Sequence, residues 1–215
     1  MSQTLARRPG GKLRRAANLC LNAFPLVGLM ARRVYFGVVA HGFDGSADYW
    51  EKRYRKGRDS GSGSYGGLAL FKADVLNGFV RDNAVETVIE LGCGDGAQLG
   101  LVEYPHYHGI DVSPAAIARC RERFAGDPRK TFDIAPPAAQ YDLALSLDVI
   151  YHLVEDTVFD AYMRALFRAA RRHVIVYSSN RERTVPEPHI RHRKFTDWVA
   201  AHAPEWGLRR TIANK

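Results

Sequence analysis

Val88-Ile89-Glu90-Leu91-Gly92-Cys93-Gly94-Asp95-Gly96-Ala97 is the stretch on which the fold turns. An apolar run ends in a single acid and passes directly into three alternating glycines. Glycine permits a sharp backbone turn and leaves room for a ligand against bare amides, where a Cβ would intrude. A buried strand, a glycine turn and a following helix together make a crevice for a nucleotide-type cofactor.

Working outward, the core alternates between strand and helix signals. Strands are expected over residues 85–91, 107–112, 131–134, 141–147 and 173–178. Helices are expected over 98–102, 114–124, 157–170 and 196–201. Ser113 is the expected N-cap of the helix over 114–124, and Pro114 its first residue. Short connections between alternating elements predict a doubly wound, mainly parallel α/β sheet. Before the core, apolar residues at Leu68, Phe71, Val75, Leu76, Phe79 and Val80 keep helical spacing, and residues 48–54 suit a short amphipathic helix. Between these two helices lies a Gly/Ser-rich run, 57–67. It suits either a plain linker or a lid over a bound ligand, with Tyr65 as its one large polar group.

Three segments follow: a basic, partly apolar N-terminal arm at 1–43, cap or lid helices with the Gly/Ser-rich loop at 44–83, and the cofactor-binding domain at 84–215. The chain of 215 residues carries a net charge of +8, but the arm holds seven basic residues and no acid. The remainder is nearly neutral, so charge alone gives no case for a nucleic-acid partner. The arm's apolar stretch, 16–31, contains a proline, a glycine and two asparagines, and is too interrupted for a membrane span. Peripheral contact with an anionic membrane, a targeting segment and a plain leader all fit it. Three widely spaced cysteines offer neither a disulfide framework nor zinc spacing, as expected of a cytoplasmic protein.

Gly92 to Ala97 also fits G-x-G-x-x-A, the permissive dinucleotide fingerprint. Glu90, two residues before the first glycine, argues against a pyrophosphate there and for a cationic ligand group. S-adenosylmethionine carries both an ammonium and a sulfonium. Asp111 closes the second strand fifteen residues after Gly96, where a carboxylate can accept from both ribose hydroxyls.

In these residues the chain resembles the class I, Rossmann-like S-adenosylmethionine-dependent methyltransferases. The likeness rests on Glu90–Gly96, on Gly109-Ile110-Asp111-Val112-Ser113, and on Tyr141–Leu153, where Leu147-Asp148-Val149 is followed closely by His152. It covers about residues 65–200. The resemblance implies a doubly wound Rossmann-like sheet whose carboxyl-terminal hairpin is incomplete, since only 206–213 is left for a final strand. It also implies S-adenosyl-L-methionine as cofactor. Glu90 would meet the methionine amino group, Gly92, Gly94 and Gly96 would lie beneath methionine and sugar, and Asp111 would hold the ribose. Asp133 would reach the adenine amino group and Asp148 the methionine end.

For the acceptor, His152 is the candidate general base and Tyr151 an orienting neighbour. A second cluster, His189-Ile190-Arg191-His192-Arg193-Lys194-Phe195, suits either an acidic acceptor or a solvated surface. Ser179-Asn180 leaves the region after the fifth strand one carboxylate short of a hard-cation site, so no metal is expected. The reading is a methyltransferase acting on an oxygen or nitrogen acceptor, a small molecule or a glycan- or lipid-linked precursor. Its rivals are an NAD-dependent oxidoreductase and a non-catalytic, membrane-attached module that retains the fold.

Overall fold

The computed structural model describes residues 45–214, so the arm at 1–43 lies outside the described residues. Residues 45–185 and 189–214 belong to one unit, from which Pro186–Pro188 are set apart. The unit begins with α1 (Ser46–Arg55) and α2 (Gly66–Asp82), joined by the Gly/Ser-rich loop. Five strands follow: β1 (Thr87–Leu91), β2 (His106–Ile110), β3 (Lys130–Asp133), β4 (Tyr141–Leu147) and β5 (Ala170–Tyr177). Three helices join them or close the unit: α3 (Pro114–Arg123), α4 (Asp156–Ala169) and α5 (Phe195–His202). The expected 98–102 helix is only a 3-10 turn, Leu99–Leu101.

All strand pairs are parallel, in the order β3-β2-β1-β4-β5. From β1 the chain goes one way to β2 and β3, then returns to the other side for β4 and β5. The carboxyl ends of β1 and β4 therefore flank the switch point, where crevices open in such sheets. Side chains alternate between two cores, as period-2 strands require. Val88, Leu143 and Leu145 join Leu76, Val80 and Ile117 on the α2–α3 face. Ile89, Leu91 and Ala144 join Phe159, Met163 and Leu166 on the α4 face. This is a three-layer α/β unit with a doubly wound, fully parallel sheet.

Two expectations change. The buried stripe of α2 is Ala69, Lys72, Ala73, Leu76 and Val80, whereas Leu68 and Leu70 are exposed. The small alanines let the helix pack closely and turn its large residues outward. Residues 206–213 form no strand: Trp206 packs on the α4-side core, while Leu208 is 72% exposed.

Candidate functional site

The glycine turn begins where β1 ends. Gly92, Gly94 and Gly96 have φ of 86°, 59° and 72°, the left-handed region that favours glycine. Space as well as φ demands glycine at all three, since a Cβ on Gly96 would sit 2.7 Å from Phe124 Cε2. A Cβ on Gly92 would sit 2.4 Å from Val149 Cγ2, and one on Gly94 would sit 2.8 Å from Tyr54 Oη and closer still to Ser60 Oγ. Neighbouring side chains thus pack closely against these glycines.

The amides are not bare either. Gly92 and Cys93 N–H both donate to the Ile110 carbonyl (2.7 and 3.0 Å), and Gly96 N–H to the Cys93 carbonyl (3.3 Å). Gly94 N–H donates to Asp111 Oδ2 (2.9 Å), Asp95 N–H to Ser60 Oγ (3.0 Å) and Ala97 N–H to Asp95 Oδ1 (3.1 Å). This corrects the expectation of free donors: the turn's amides are taken up by Ile110, Asp111, Ser60 and the turn itself, and the acids around it are what it offers a ligand.

Glu90 is the deepest of them, 3% exposed, with Tyr107 Oη donating to its Oε2 at 2.7 Å. Burial pushes its carboxyl up to about 7, helped by Asp111 and Asp148 and opposed by Tyr107 and Lys72. Asp111, 7% exposed, accepts from Gly94 N–H and from Ser113 N–H (2.9 Å). Burial raises it to about 6 despite those two bonds. Ser113 caps α3 by accepting from Ala116 N–H, with Pro114 in the first turn, as expected.

Asp148 leaves β4 with φ 60°, a left-handed conformation that aspartate tolerates better than most residues. Its Oδ2 pairs with Lys72 Nζ at 2.5 Å, and its Oδ1 accepts from Tyr151 Oη at 3.0 Å. Lys72 is 3% exposed and lies 4.9 Å from the centre of the Tyr177 ring. Glu90, Asp111, Asp148 and Lys72 make one electrostatic cluster beneath the switch point, three carboxyl groups about a single buried ammonium.

Of the remaining predicted residues, His152 and Asp133 stand apart from that cluster. Tyr151 is part of it through Asp148. His152 packs edge-on to Trp50 (4.8 Å between ring centres) and beside His189 (5.8 Å). Its Nδ1 lies 3.1 Å from the His189 carbonyl, which can only accept, so Nδ1 carries the hydrogen and Nε2 the lone pair. Burial lowers its pKa to about 4, and the ring is neutral at physiological pH. Asp133 ends β3, where its exposed carboxylate is held by Arg121 (3.0 Å). In the basic cluster, Arg191 and Arg193 both pair with Asp156 (2.9 and 3.0 Å), and Lys194 pairs with Asp197 (2.8 Å). Arg193 also donates to the Leu153 and Val154 carbonyls (2.5 and 2.9 Å). These charges fasten the loop after β4.

The sequence reading missed Lys72, Tyr54, Ser60 and Asp95. A signal existed for Lys72, a cation at helical spacing among Ala69, Ala73 and Leu76. None existed for Tyr54 and Ser60, whose roles depend on how α1 and its loop fold over the turn. Ser179 Oγ bonds His192 (2.6 Å) and Asn180 bonds Thr196 (3.0 Å). Among the described residues, no group of three or more His, Cys, Asp or Glu is placed to hold a metal ion.

Fold and site together define an α/β cofactor-binding domain whose crevice is lined with buried acids. Residues 89–174 match a protein-family model described as a methyltransferase domain. Those residues, fewer than half of the chain, carry its likeness to the class I S-adenosylmethionine-dependent methyltransferases. Among curated proteins it is similar to mouse (Mus musculus) EEF1A lysine methyltransferase 4, with 29% identity over 107 residues, 45% of this chain and 41% of that relative. The match thus spans about two fifths of the relative's length. Among solved structures, it is similar in fold to the methyltransferase domain of bacterial CtHen1-C (TM-score 0.51, 22% identity, 66% of this chain and 86% of that one). A second is the N-methyltransferase NodS from Bradyrhizobium japonicum WM9 with S-adenosyl-L-homocysteine (TM-score 0.51, 18% identity, 62% and 72%).

Proposed function

We propose that this protein transfers the methyl group of S-adenosylmethionine to an oxygen or nitrogen acceptor, a small molecule or a glycan- or lipid-linked precursor. The observation that carries the reading is the cluster of Glu90, Asp111 and Asp148 about Lys72. The buried carboxyls of Glu90 and Asp111, raised toward neutrality, disfavour their own charge and are relieved by a cation. The ammonium and sulfonium of the methyl donor are such cations, and Lys72 is a buried partner for its carboxylate.

In this reading Glu90 accepts from the amino group, Asp111 from the ribose hydroxyls, and Asp148 faces the methionine end. Gly92, Gly94 and Gly96 hold the turn beneath methionine and sugar. Asp133 is left to the adenine end, with a smaller share because Arg121 already engages it. The cofactor supplies a methyl carbon on a good leaving group, so the protein's main task is to align the acceptor with it. Tyr151, fixed on Asp148, orients the acceptor, and His152 offers the Nε2 lone pair as proton acceptor. Supporting nitrogen as the methylated atom, the mouse relative is named for lysine methylation. Nothing favours the oxidoreductase or the non-catalytic module over this reading.

Incubating the full chain with cell extract and methyl-labelled S-adenosylmethionine, then identifying labelled products by mass spectrometry, tests it. The expected result is S-adenosylhomocysteine formed in step with one labelled product. Absence of both, with tight NADH binding, overturns the reading. Peripheral membrane contact through residues 1–43 is a separate proposal, checked by vesicle sedimentation with and without the arm.

A further inference from the structure

The loop between α1 and α2 is tied to the glycine turn at one residue. Asp95 Oδ2 accepts from Ser60 N–H (3.0 Å) and from Tyr65 Oη (2.9 Å), while Asp95 N–H donates to Ser60 Oγ (3.0 Å). Tyr54 Oη, from α1, bonds the same Ser60 hydroxyl at 3.0 Å. Asp95 is 7% exposed, and its carboxyl is held below the usual range: burial opposes this, but the bonds from Ser60, Tyr65 and Ala97 prevail.

Two comparisons set Asp95 apart. The amides of Gly92, Cys93, Gly94, Gly96 and Ala97 all donate to acceptors between Cys93 and Asp111, within the core. Only the Asp95 amide donates to the loop. The loop also reaches the acceptor side of the crevice, since a Cβ on Gly63 would lie 2.5 Å from Asp148 Oδ2. One short segment therefore covers both Gly94 and Asp148, and its polar anchor on the turn is Asp95.

We propose that Asp95 is the positioning residue of a lid formed by residues 57–65, so that its bonds to Ser60 and Tyr65 set how fast a molecule held between Gly94 and Asp148 escapes. Opening the lid leaves Asp95 with an unpartnered amide and a carboxylate stripped of two donors, a cost that favours the closed state. The lid itself is rich in glycine and serine, and resists little on its own. The inference rests on the methyltransferase reading for the identity of what is held.

The test uses the full chain, with S-adenosylhomocysteine as probe, in wild type, Tyr65→Phe, Asp95→Asn and the double variant. Release rates and hydrogen exchange over residues 57–65 are measured, exchange also without probe. Tyr65→Phe keeps the ring and the fold and removes one donor, so it should release the probe about tenfold faster and speed lid exchange. Asp95→Asn should do at least as much. The double variant should fall short of the sum of the two single changes, because both act on the Tyr65–Asp95 bond, whereas unrelated structural damage would add. Unchanged release in both single variants, or additive effects in the double, overturns the proposal even if lid exchange rises. Wild type that does not bind the probe overturns the methyltransferase reading beneath it, an outcome distinct from binding with unchanged release.

Discussion

The two ends of β1 and β4 each hold a buried acid, and the two are treated in opposite ways. At the amino end, Asp142 Oδ2 accepts from Glu86 N–H, Thr87 N–H and Thr87 Oγ1, each at 3.1 Å, and its Oδ1 pairs with Arg171 at 2.8 Å. Burial works to raise its carboxyl, but these partners hold it down to about 2. At the carboxyl end, Glu90 has the Tyr107 hydroxyl and two acidic neighbours, and burial lifts it to about 7. Asp142 is saturated by its own chain and serves the fold. Glu90 is under-served, and a cation from outside would complete it.

The largest expected effect breaks the amino end. Asp142→Ala leaves the Glu86 and Thr87 amides without their acceptor and should cost about 3 kcal/mol of stability. Thermal unfolding should then fall by roughly 6–12 °C for a chain of this size. Affinity of the folded variant for S-adenosylhomocysteine should stay within about twofold. Next comes Asp111→Asn, whose amide puts a donor where the carboxylate accepts from Gly94 and Ser113 N–H and, in the proposed function, from the ribose. Calorimetry should show affinity weakened by about 30- to 100-fold.

Glu90→Gln sharpens the contrast more subtly. It should weaken binding by about tenfold at pH 8 and abolish the pH dependence described below. Its stability should not fall above neutral pH, because a disfavoured buried charge is removed. The signs of the two acids differ in stability as well. A carboxyl raised to about 7 makes the native state less stable as pH climbs from about 4.5 to about 7, with no further change above. A carboxyl lowered to about 2 gives stability that is present above about 4 and lost as pH falls toward 2. The smallest expected effect is Asp133→Ala, under about threefold in affinity, because Arg121 already holds that carboxylate.

Most of the sheet was legible because strand signals are local. Tyr141–Leu147 matches its expected bounds, and α3 starts where Ser113 and Pro114 place it. The lid was half legible: composition marked residues 57–67 as flexible, but nothing local says that Ser60 meets Asp95, thirty-five residues away. The α2 stripe was read in part: Leu76 and Val80 are buried as expected, but large apolar residues drew attention from Ala69 and Ala73, which complete the buried face. In the turn, the glycines were visible but the packing against them was not. Gly92 and Gly94 yield to Val149, Ser60 and Tyr54, which reach them from distant parts of the chain.

In the proposed function, the acid cluster at the carboxyl end of the sheet is completed by a cationic cofactor. Calorimetric titration of the full chain with S-adenosylhomocysteine at pH 6 and pH 8 tests it most directly. Because Glu90 must be ionised to hold an ammonium, binding should tighten about tenfold between the two, with proton release at pH 6. Binding of equal strength at both values, or none at either, would contradict the claim.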